Sequence, residues 1–257
     1  MADPSETTSA NVMKGTMDRF NGINVPASSL PENDHDFAQA LHASLEAWKA
    51  QKVRGVWLTI PIEKSSFISI AAETGFVFHH ALGKVAVLVH WLPANEPNKL
   101  PQYPFNTVGV GGLVINDKKQ LLVVREKYQG AEAPWKLPGG MADPKEDLGD
   151  VAVREVQEEC GIKTEFVSIL GFRHYHAGLF NTSDLYFIAR LKPVTEDIVF
   201  DKGELLDARW MDIDEYIADN HVTDLNKWVA QVAKAHIEHP EKSEFTAKVM
   251  PTWNRRG

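Results

Sequence analysis

The chain has 257 residues, of which 44% are hydrophobic, enough to build one large or two modest folded domains. Its formal net charge of −8 leaves no basic face on which nucleic acid could bind by counterion release. The single cysteine, Cys160, excludes an internal disulfide. Residues 1–17 are polar and contain no apolar core, which predicts a disordered leader rather than a signal peptide. No apolar run reaches transmembrane length, so we expect a soluble, cytoplasmic protein that makes no membrane contact.

The first half of the chain alternates strand and helix patterns, which predicts a small α/β domain over residues 18–95. The elements expected there are strands at 20–25, 55–60, 76–80 and 84–92 and helices at 34–51 and 66–74. Four prolines between positions 93 and 104 predict a linker, whose bounds we place at 96–106.

The second half predicts a larger domain over residues 107–240, followed by a C-terminal tail at 241–257. Its first two strands, at 108–115 and 120–126, flank a turn at Asn116-Asp117 and are expected to pair as a hairpin. A glycine-rich loop and an acidic helix follow. The remaining expected elements are strands at 165–174, 184–191 and 208–211 and a helix at 224–236.

The acidic helix belongs to a segment whose charge spacing chance does not explain. From Gly140 to Ile162 the sequence follows G-x5-E-x7-R-E-U-x-E-E-x-G-U, where U is a bulky apolar residue. Seven positions demand a single residue type, so a chance match is on the order of one in a billion per starting position. The charged positions are Glu146, Arg154, Glu155, Glu158 and Glu159.

The three helical glutamates share one stripe of the helix, beside its apolar stripe. Side chains at i, i+3 and i+4 lie roughly 5–6 Å apart, and at an effective dielectric near 20 each such pair of carboxylates repels by about 3 kcal/mol. One or two hard divalent cations would reverse that sign, because oxygen-only ligands suit Mg²⁺ and Mn²⁺. Such a cluster suits metal-assisted displacement at a phosphoryl group.

The alternative is a solvated, glutamate-rich helix face with no function. The flanking residues argue against it, because the glycines of the loop at 135–140 permit close backbone approach and Gly161 stands where a helix-ending glycine belongs. Arg154 could also pair with Glu146 and fix the helix against the loop.

With this motif, the second domain resembles the Nudix hydrolases. The resemblance implies a three-layer α-β-α sandwich around a mixed sheet, within a chain of the α/β (α+β) class. Upstream stretches such as Phe20-Asn-Gly-Ile and Trp57-Leu-Thr-Ile-Pro61 are similar to animal and plant members of that family. Those members imply that the first domain has a small acetyltransferase-like α/β fold.

The resemblance also implies roles for individual residues. Glu155, Glu158 and Glu159 would ligate Mg²⁺ or Mn²⁺, and Gly139 or Gly140 would add a backbone carbonyl. Glu204, in the loop before the last strand, would serve as a ligand or general base. One departure is that relatives carry a histidine just before the first strand of this domain, where this chain has Phe105-Asn106-Thr107.

The sequence specifies the type of reaction more closely than the substrate. Arg173 could hold a phosphate while Tyr175 or Phe180 stacks on a base, or these residues could only cover the sheet edge; Trp135, at the head of the glycine loop, is a further candidate for substrate binding. The resemblance implies a small-molecule diphosphate such as ADP-ribose or NADH. A prenyl diphosphate or diphosphoinositol is the alternative substrate. A third hypothesis is a partner-binding protein with residual hydrolase activity, and a homodimer is a further expectation.

Overall fold

The computed structural model describes residues 12–129 and 133–238. These residues form two compact units, divided between Pro104 and Phe105. The folded part begins before residue 18, because Met13 is buried in the core and Thr16–Met17 pairs as a strand. Residues 1–11 of the predicted leader and the predicted tail at 241–257 lie outside the described residues. No helix in the described ranges has the length and apolar character needed to cross a bilayer.

The N-terminal unit combines one mixed five-stranded sheet with two helices, in the order β1-β2-β3-β5-β4 across the sheet. Its elements are β1 (Thr16–Met17), β2 (Ile23–Val25), α1 (Asp34–Ala50), β3 (Gly55–Pro61), α2 (Ser66–Glu73), β4 (Val77–Leu82) and β5 (Val85–Trp91). Asn33 caps α1 by accepting a hydrogen bond from the Asp36 N–H at 2.9 Å. Phe37 of α1 stacks on Phe67 of α2 with ring centroids 4.1 Å apart. The α/β pattern is confirmed, and the acetyltransferase-like fold stays a prediction.

The C-terminal unit contains a mixed four-stranded sheet and a two-stranded sheet, in the orders β8-β6-β10-β9 and β11-β7. Its elements are β6 (Asn106–Val114), β7 (Gln120–Glu126), β8 (Gly139–Met141), α3 (Leu148–Cys160), β9 (Thr164–Tyr175), β10 (Ser183–Pro193), β11 (Leu205–Asp212), α4 (Ile213–Ala218) and α5 (Asp224–Glu238). Strand β6 runs parallel to β10, and the other pairs are antiparallel.

Helices cover the strands of this unit on both sides. One hydrophobic cluster contains the buried face of α3, and a second contains residues of α4 and α5. Successive residues of β7 alternate between the clusters, with Leu122 and Val124 in the first and Leu121 and Val123 in the second. This arrangement confirms the predicted α-β-α sandwich with a mixed sheet.

The predicted hairpin of the first two strands is wrong. Strand β6 pairs with β8 and β10, β7 pairs with β11, and one isolated bridge between Ile115 and Leu121 joins them near the turn. The glycine loop takes the edge of β6 that a hairpin partner would need, since the Gly112 N–H donates to the Pro138 carbonyl at 2.8 Å. The loop's residues therefore form β8.

Candidate active site

The acidic helix α3 is held in place by its apolar stripe and by the glycine that ends it. Ala152 and Val156 are fully buried in the cluster beneath the helix. Gly161 ends the helix at a φ of +69°, a left-handed conformation that L side chains rarely adopt. The helix thereby carries Glu155 and Glu159 onto the backbone of the glycine loop.

Glu159 is a buried carboxylate at the end of α3. Its side chain is only 6% exposed, and its Oε2 accepts a hydrogen bond from the Gly139 N–H at 2.9 Å. Loss of solvent raises the pKa of Glu159 to about 7, and the positive charge of Lys136 opposes that rise. A buried acid that titrates near neutral pH is typical of a functional site.

Glu155 lies directly against Gly140. A Cβ built on Gly140 would fall 2.6 Å from the Glu155 Oε1 atom, closer than real Cβ contacts allow. Glycine is therefore required at this position for the carboxylate to approach the backbone, as the sequence pattern predicted. Gly139 has a φ of +152°, and a Cβ there would lie 2.2 Å from the Val110 carbonyl oxygen.

Replacing Gly140 with Ala should displace the Glu155 carboxylate without unfolding the protein. The added methyl group meets only the flexible end of a side chain, so we expect a change of less than about 1 kcal/mol in unfolding free energy. Displacement of a site carboxylate should lower kcat/KM by about 10- to 100-fold. Gly171→Ala is the control, because nothing lies within 4 Å of a Cβ at Gly171. Equal activity of the two variants in a hydrolysis assay would contradict this placement of Glu155.

Arg154 connects the helix to the loop and to its own neighbouring acids. Its guanidinium donates to both carboxylate oxygens of Glu146, at 2.8 and 2.9 Å. It also donates to Glu155 at 2.8 Å and to Glu158 at 3.1 Å. Its hydrogen bonds lower the pKa of Glu146 to about 2. Glu158 is the most exposed of these acids, with 61% of its side chain accessible.

The donor atoms gathered here suit a hard divalent cation. They are carboxylate oxygens and backbone carbonyls of the glycine loop, the ligands that Mg²⁺ and Mn²⁺ prefer. As placed, the His, Cys, Asp and Glu side chains of the described residues form no group of three that could hold a metal ion. Arg154 engages Glu155 and Glu158 in ion pairs at 2.8 and 3.1 Å. The donor set fits the cation in its chemistry, and Arg154 would have to release these two acids.

The other predicted acid, Glu204, lies in an exposed turn. Its N–H donates to the Asp201 carbonyl at 3.3 Å, and its own carbonyl accepts from the Lys127 N–H at 2.9 Å. Among the described residues, no hydrogen bond joins its side chain to α3. The turn nevertheless meets the end of α3, because the Asp201 N–H donates to the Glu159 carbonyl at 3.0 Å, and the role of Glu204 stays a prediction.

Trp135, one of the predicted substrate-binding residues, is enclosed in the core. Its side chain is 3% exposed, and the guanidinium carbons of Arg125 and Arg209 lie 4.3 and 4.7 Å from its ring centroid. The Tyr216 hydroxyl donates to its carbonyl at 3.3 Å. This position gives the Trp135 ring a packing role, and we do not propose it as a substrate-binding residue.

The remaining predicted substrate residues lie at the open end of the four-stranded sheet. Arg173 forms an ion pair with Asp184 at 2.6 Å, and its guanidinium carbon lies 5.4 Å from the Tyr175 ring centroid. Phe180 follows in the loop between β9 and β10 and is 95% exposed, with a φ of +55°. Arg173 and Tyr175 are thus in contact with each other, and Phe180 projects into solvent.

Sequence reasoning missed Asp184 and Tyr186 of β10. Both lie on one face of that strand, and Tyr186 stands opposite Arg173 on β9 and Gly109 on β6. The sequence contains a signal for them. Side chains alternate along β10, so Asp184 and Tyr186 lie on the face where the neighbouring strand β6 has glycines. The pairing of β10 with β6 was needed to interpret it.

The site consists of an acidic helix packed on a glycine loop at the edge of a mixed sheet. Comparison with known proteins identifies the family of the chain. The family profile described as "Nudix hydrolase domain" matches residues 13–92, and that described as "NUDIX domain" matches residues 105–232. The chain therefore belongs to the Nudix hydrolase family of pyrophosphohydrolases.

Curated relatives agree with this assignment. Nudix hydrolase 8 of Arabidopsis thaliana is 39% identical over 86% of this chain, and the match spans 61% of that relative, less than two thirds of its length. The nucleoside diphosphate-linked moiety X motif 6 protein of Homo sapiens is 38% identical over 93% of this chain and 78% of its own length. The MutT protein of Methanosarcina mazei, a solved structure, is 20% identical, with a TM-score of 0.45 over 56% of this chain and all of that chain.

Proposed function

We propose that the protein is a metal-dependent hydrolase that cleaves the diphosphate bond of a nucleoside diphosphate derivative such as ADP-ribose or NADH. The observation that carries the proposal is the close approach of Glu155 and Glu159 to the glycine-loop backbone. Arg154 already neutralises Glu155, but in the described residues no ion pair reaches Glu159, and a buried carboxylate without a compensating charge costs free energy. A divalent cation with a bound diphosphate supplies that compensation.

The residues that would hold the cation are Glu155, Glu158 and Glu159, with a carbonyl of Gly139 or Gly140. The chemistry supplied by bound Mg²⁺ or Mn²⁺ is polarisation of a phosphoryl oxygen and activation of the attacking water. Arg154 supports the arrangement by tying α3 to Glu146 of the loop. Water then attacks phosphorus, the anhydride P–O bond breaks, and two phosphate-bearing products leave.

Glu159 is suited to handle the proton of the attacking water. The Gly139 N–H fixes its Oε2, and in the described part of the chain no hydrogen bond reaches its Oε1. The open oxygen can accept a proton from a water molecule bound beside it, whereas the pKa of about 7 describes the carboxylate without a cation, and a bound cation would lower it. We therefore propose Glu159, rather than the exposed Glu204, as the proton acceptor.

The side chains around Arg173, at the end of the four-stranded sheet, suit a nucleoside better than a prenyl chain. Asp184 neutralises Arg173 at 2.6 Å, and the Thr107 hydroxyl donates to the second Asp184 oxygen at 3.0 Å. A paired guanidinium flanked by tyrosine rings offers stacking surface and hydrogen-bond donors for an uncharged polar group, such as a base or a ribose hydroxyl.

A substrate survey tests this proposal on the full chain. We expect ADP-ribose or NADH to be hydrolysed in the presence of Mg²⁺ or Mn²⁺, with prenyl diphosphates and diphosphoinositol at least about tenfold poorer in kcat/KM, the effect of roughly 1.4 kcal/mol of lost substrate contact. Product release is measured for each compound with the same enzyme preparation. Preference for a prenyl diphosphate would contradict the substrate class, and inertness toward all anhydrides would contradict the hydrolase assignment.

A further inference from the structure

Tyr186 lies flat on the backbone of β6, over two glycines. A Cβ built on Gly111 would fall 2.2 Å from the Tyr186 hydroxyl oxygen, and one built on Gly109 would fall 3.0 Å from its ring. Any other residue at Gly111 would push the hydroxyl away. The glycines of this strand therefore fix where the Tyr186 hydroxyl lies.

This position is next to the backbone partner of the buried acid. Gly111 pairs with Gly139 across the β6–β8 ladder, and the Gly139 N–H donates to Glu159 at 2.9 Å. Burial raises the pKa of Tyr186 well above its ordinary value, and the charges of Glu159 and Asp184 add to that rise. The hydroxyl is therefore protonated at neutral pH and is a hydrogen-bond donor.

The Tyr186 ring also lies close to Arg173, a predicted substrate residue. The guanidinium carbon of Arg173 lies 5.5 Å from the Tyr186 ring centroid, and the Arg173 Nε is buried without a hydrogen-bond partner in the described chain. Tyr186 itself is half-buried, and no described residue forms a hydrogen bond with its hydroxyl. The buried Arg173 Nε has no partner in the described chain, and with the Tyr186 hydroxyl it offers two donors that a bound ligand could engage.

We infer that Tyr186 positions the substrate, with its hydroxyl donating to a phosphoryl oxygen of the diphosphate and its ring supporting Arg173. The inference rests on the proposed function and adds to it a residue between the carboxylates and the nucleoside end. It also assigns a purpose to Gly109 and Gly111, which give the ring its place on the sheet.

Tyr186→Phe tests the hydroxyl without changing the packing of the ring. We expect kcat to fall about 10- to 100-fold, the loss of one hydrogen bond to a charged oxygen, because that bond strengthens as charge develops on the phosphoryl group. KM should change less than threefold, and the melting temperature should stay within about 3 °C of that of the parent. Arg173→Lys should instead raise KM, because it alters contacts with the end of the substrate that does not react.

Gly111→Ala provides a second route to the same defect, because its methyl group displaces the Tyr186 hydroxyl while the tyrosine remains. It should reproduce the fall in kcat, and Gly171→Ala on strand β9 should not. A parent enzyme that is active while Tyr186→Phe keeps its kcat within twofold would overturn the role of Tyr186 and leave the proposed function standing. A parent enzyme inert toward every diphosphate would remove the proposed function itself.

Discussion

Glu159→Gln is expected to lower kcat for diphosphate hydrolysis by at least about 1,000-fold while the protein stays folded. The substitution preserves the shape of the side chain and an oxygen that can accept from the Gly139 N–H. It removes the negative charge that a cation needs and the group that accepts a proton. Steady-state kinetics with Mg²⁺ at saturating substrate measure the effect, and circular dichroism checks the fold.

Asp150→Asn is the matched control for that experiment. Asp150 is an exposed acid in the first turn of α3, so the variant removes one negative charge from the same helix away from the glycine loop. It should keep activity within about threefold of that of the parent, because a charge in the first helical turn contributes less than about 1 kcal/mol. Turnover at the parent rate in Glu159→Gln would remove Glu159 from the mechanism.

Glu159→Gln should also be more stable than the parent at alkaline pH when no metal is present. The pKa of Glu159 is about 7 in the folded protein against 4.5 as the reference value, so the folded state binds this proton more tightly. The stabilisation of the folded state by this bound proton is fully present below pH 4.5 and is lost as the pH rises through 7. A difference of about 2.5 pKa units corresponds to about 3 kcal/mol.

We therefore expect Glu159→Gln to gain about 3 kcal/mol in unfolding free energy at pH 8, and only about 1 kcal/mol at pH 5.5. Urea unfolding in EDTA, followed by circular dichroism, measures both values. Adding Mn²⁺ should stabilise the parent and leave the variant unchanged, because a ligand stabilises only a state that binds it. An equal difference at the two pH values would show that the buried carboxylate is not the cause.

Local patterns sufficed to predict most of the elements and the centre of the site. Helix α1 has the predicted start at residue 34 because its apolar residues repeat with the helical period, and β7 has both of its predicted bounds because a turn and a short continuous apolar run mark it. The approach of Glu155 to Gly140 followed from the glycine in the loop. These features depend on residues close in sequence.

Two of the features that sequence reasoning missed depend on contacts between separate elements of the fold. The hairpin of β6 and β7 was wrong because the glycine loop, about 25 residues further on, takes the edge of β6 as β8. Trp135 is buried because it packs in one cluster with residues of β11, α4 and α5, and Arg209 of β11 lies over its ring. Helix α4 was missed because six residues are too few for a clear period, although Asp212 caps it by accepting from the Asp214 N–H.

Hydrolysis of ADP-ribose and NADH by the full chain, before and after metal removal, tests the central claim most directly. We expect measurable product release with Mg²⁺ or Mn²⁺, loss of that release in EDTA, and its return when Mn²⁺ is added in excess. Release that continues unchanged in EDTA would show that the carboxylates of α3 do not act through a divalent cation.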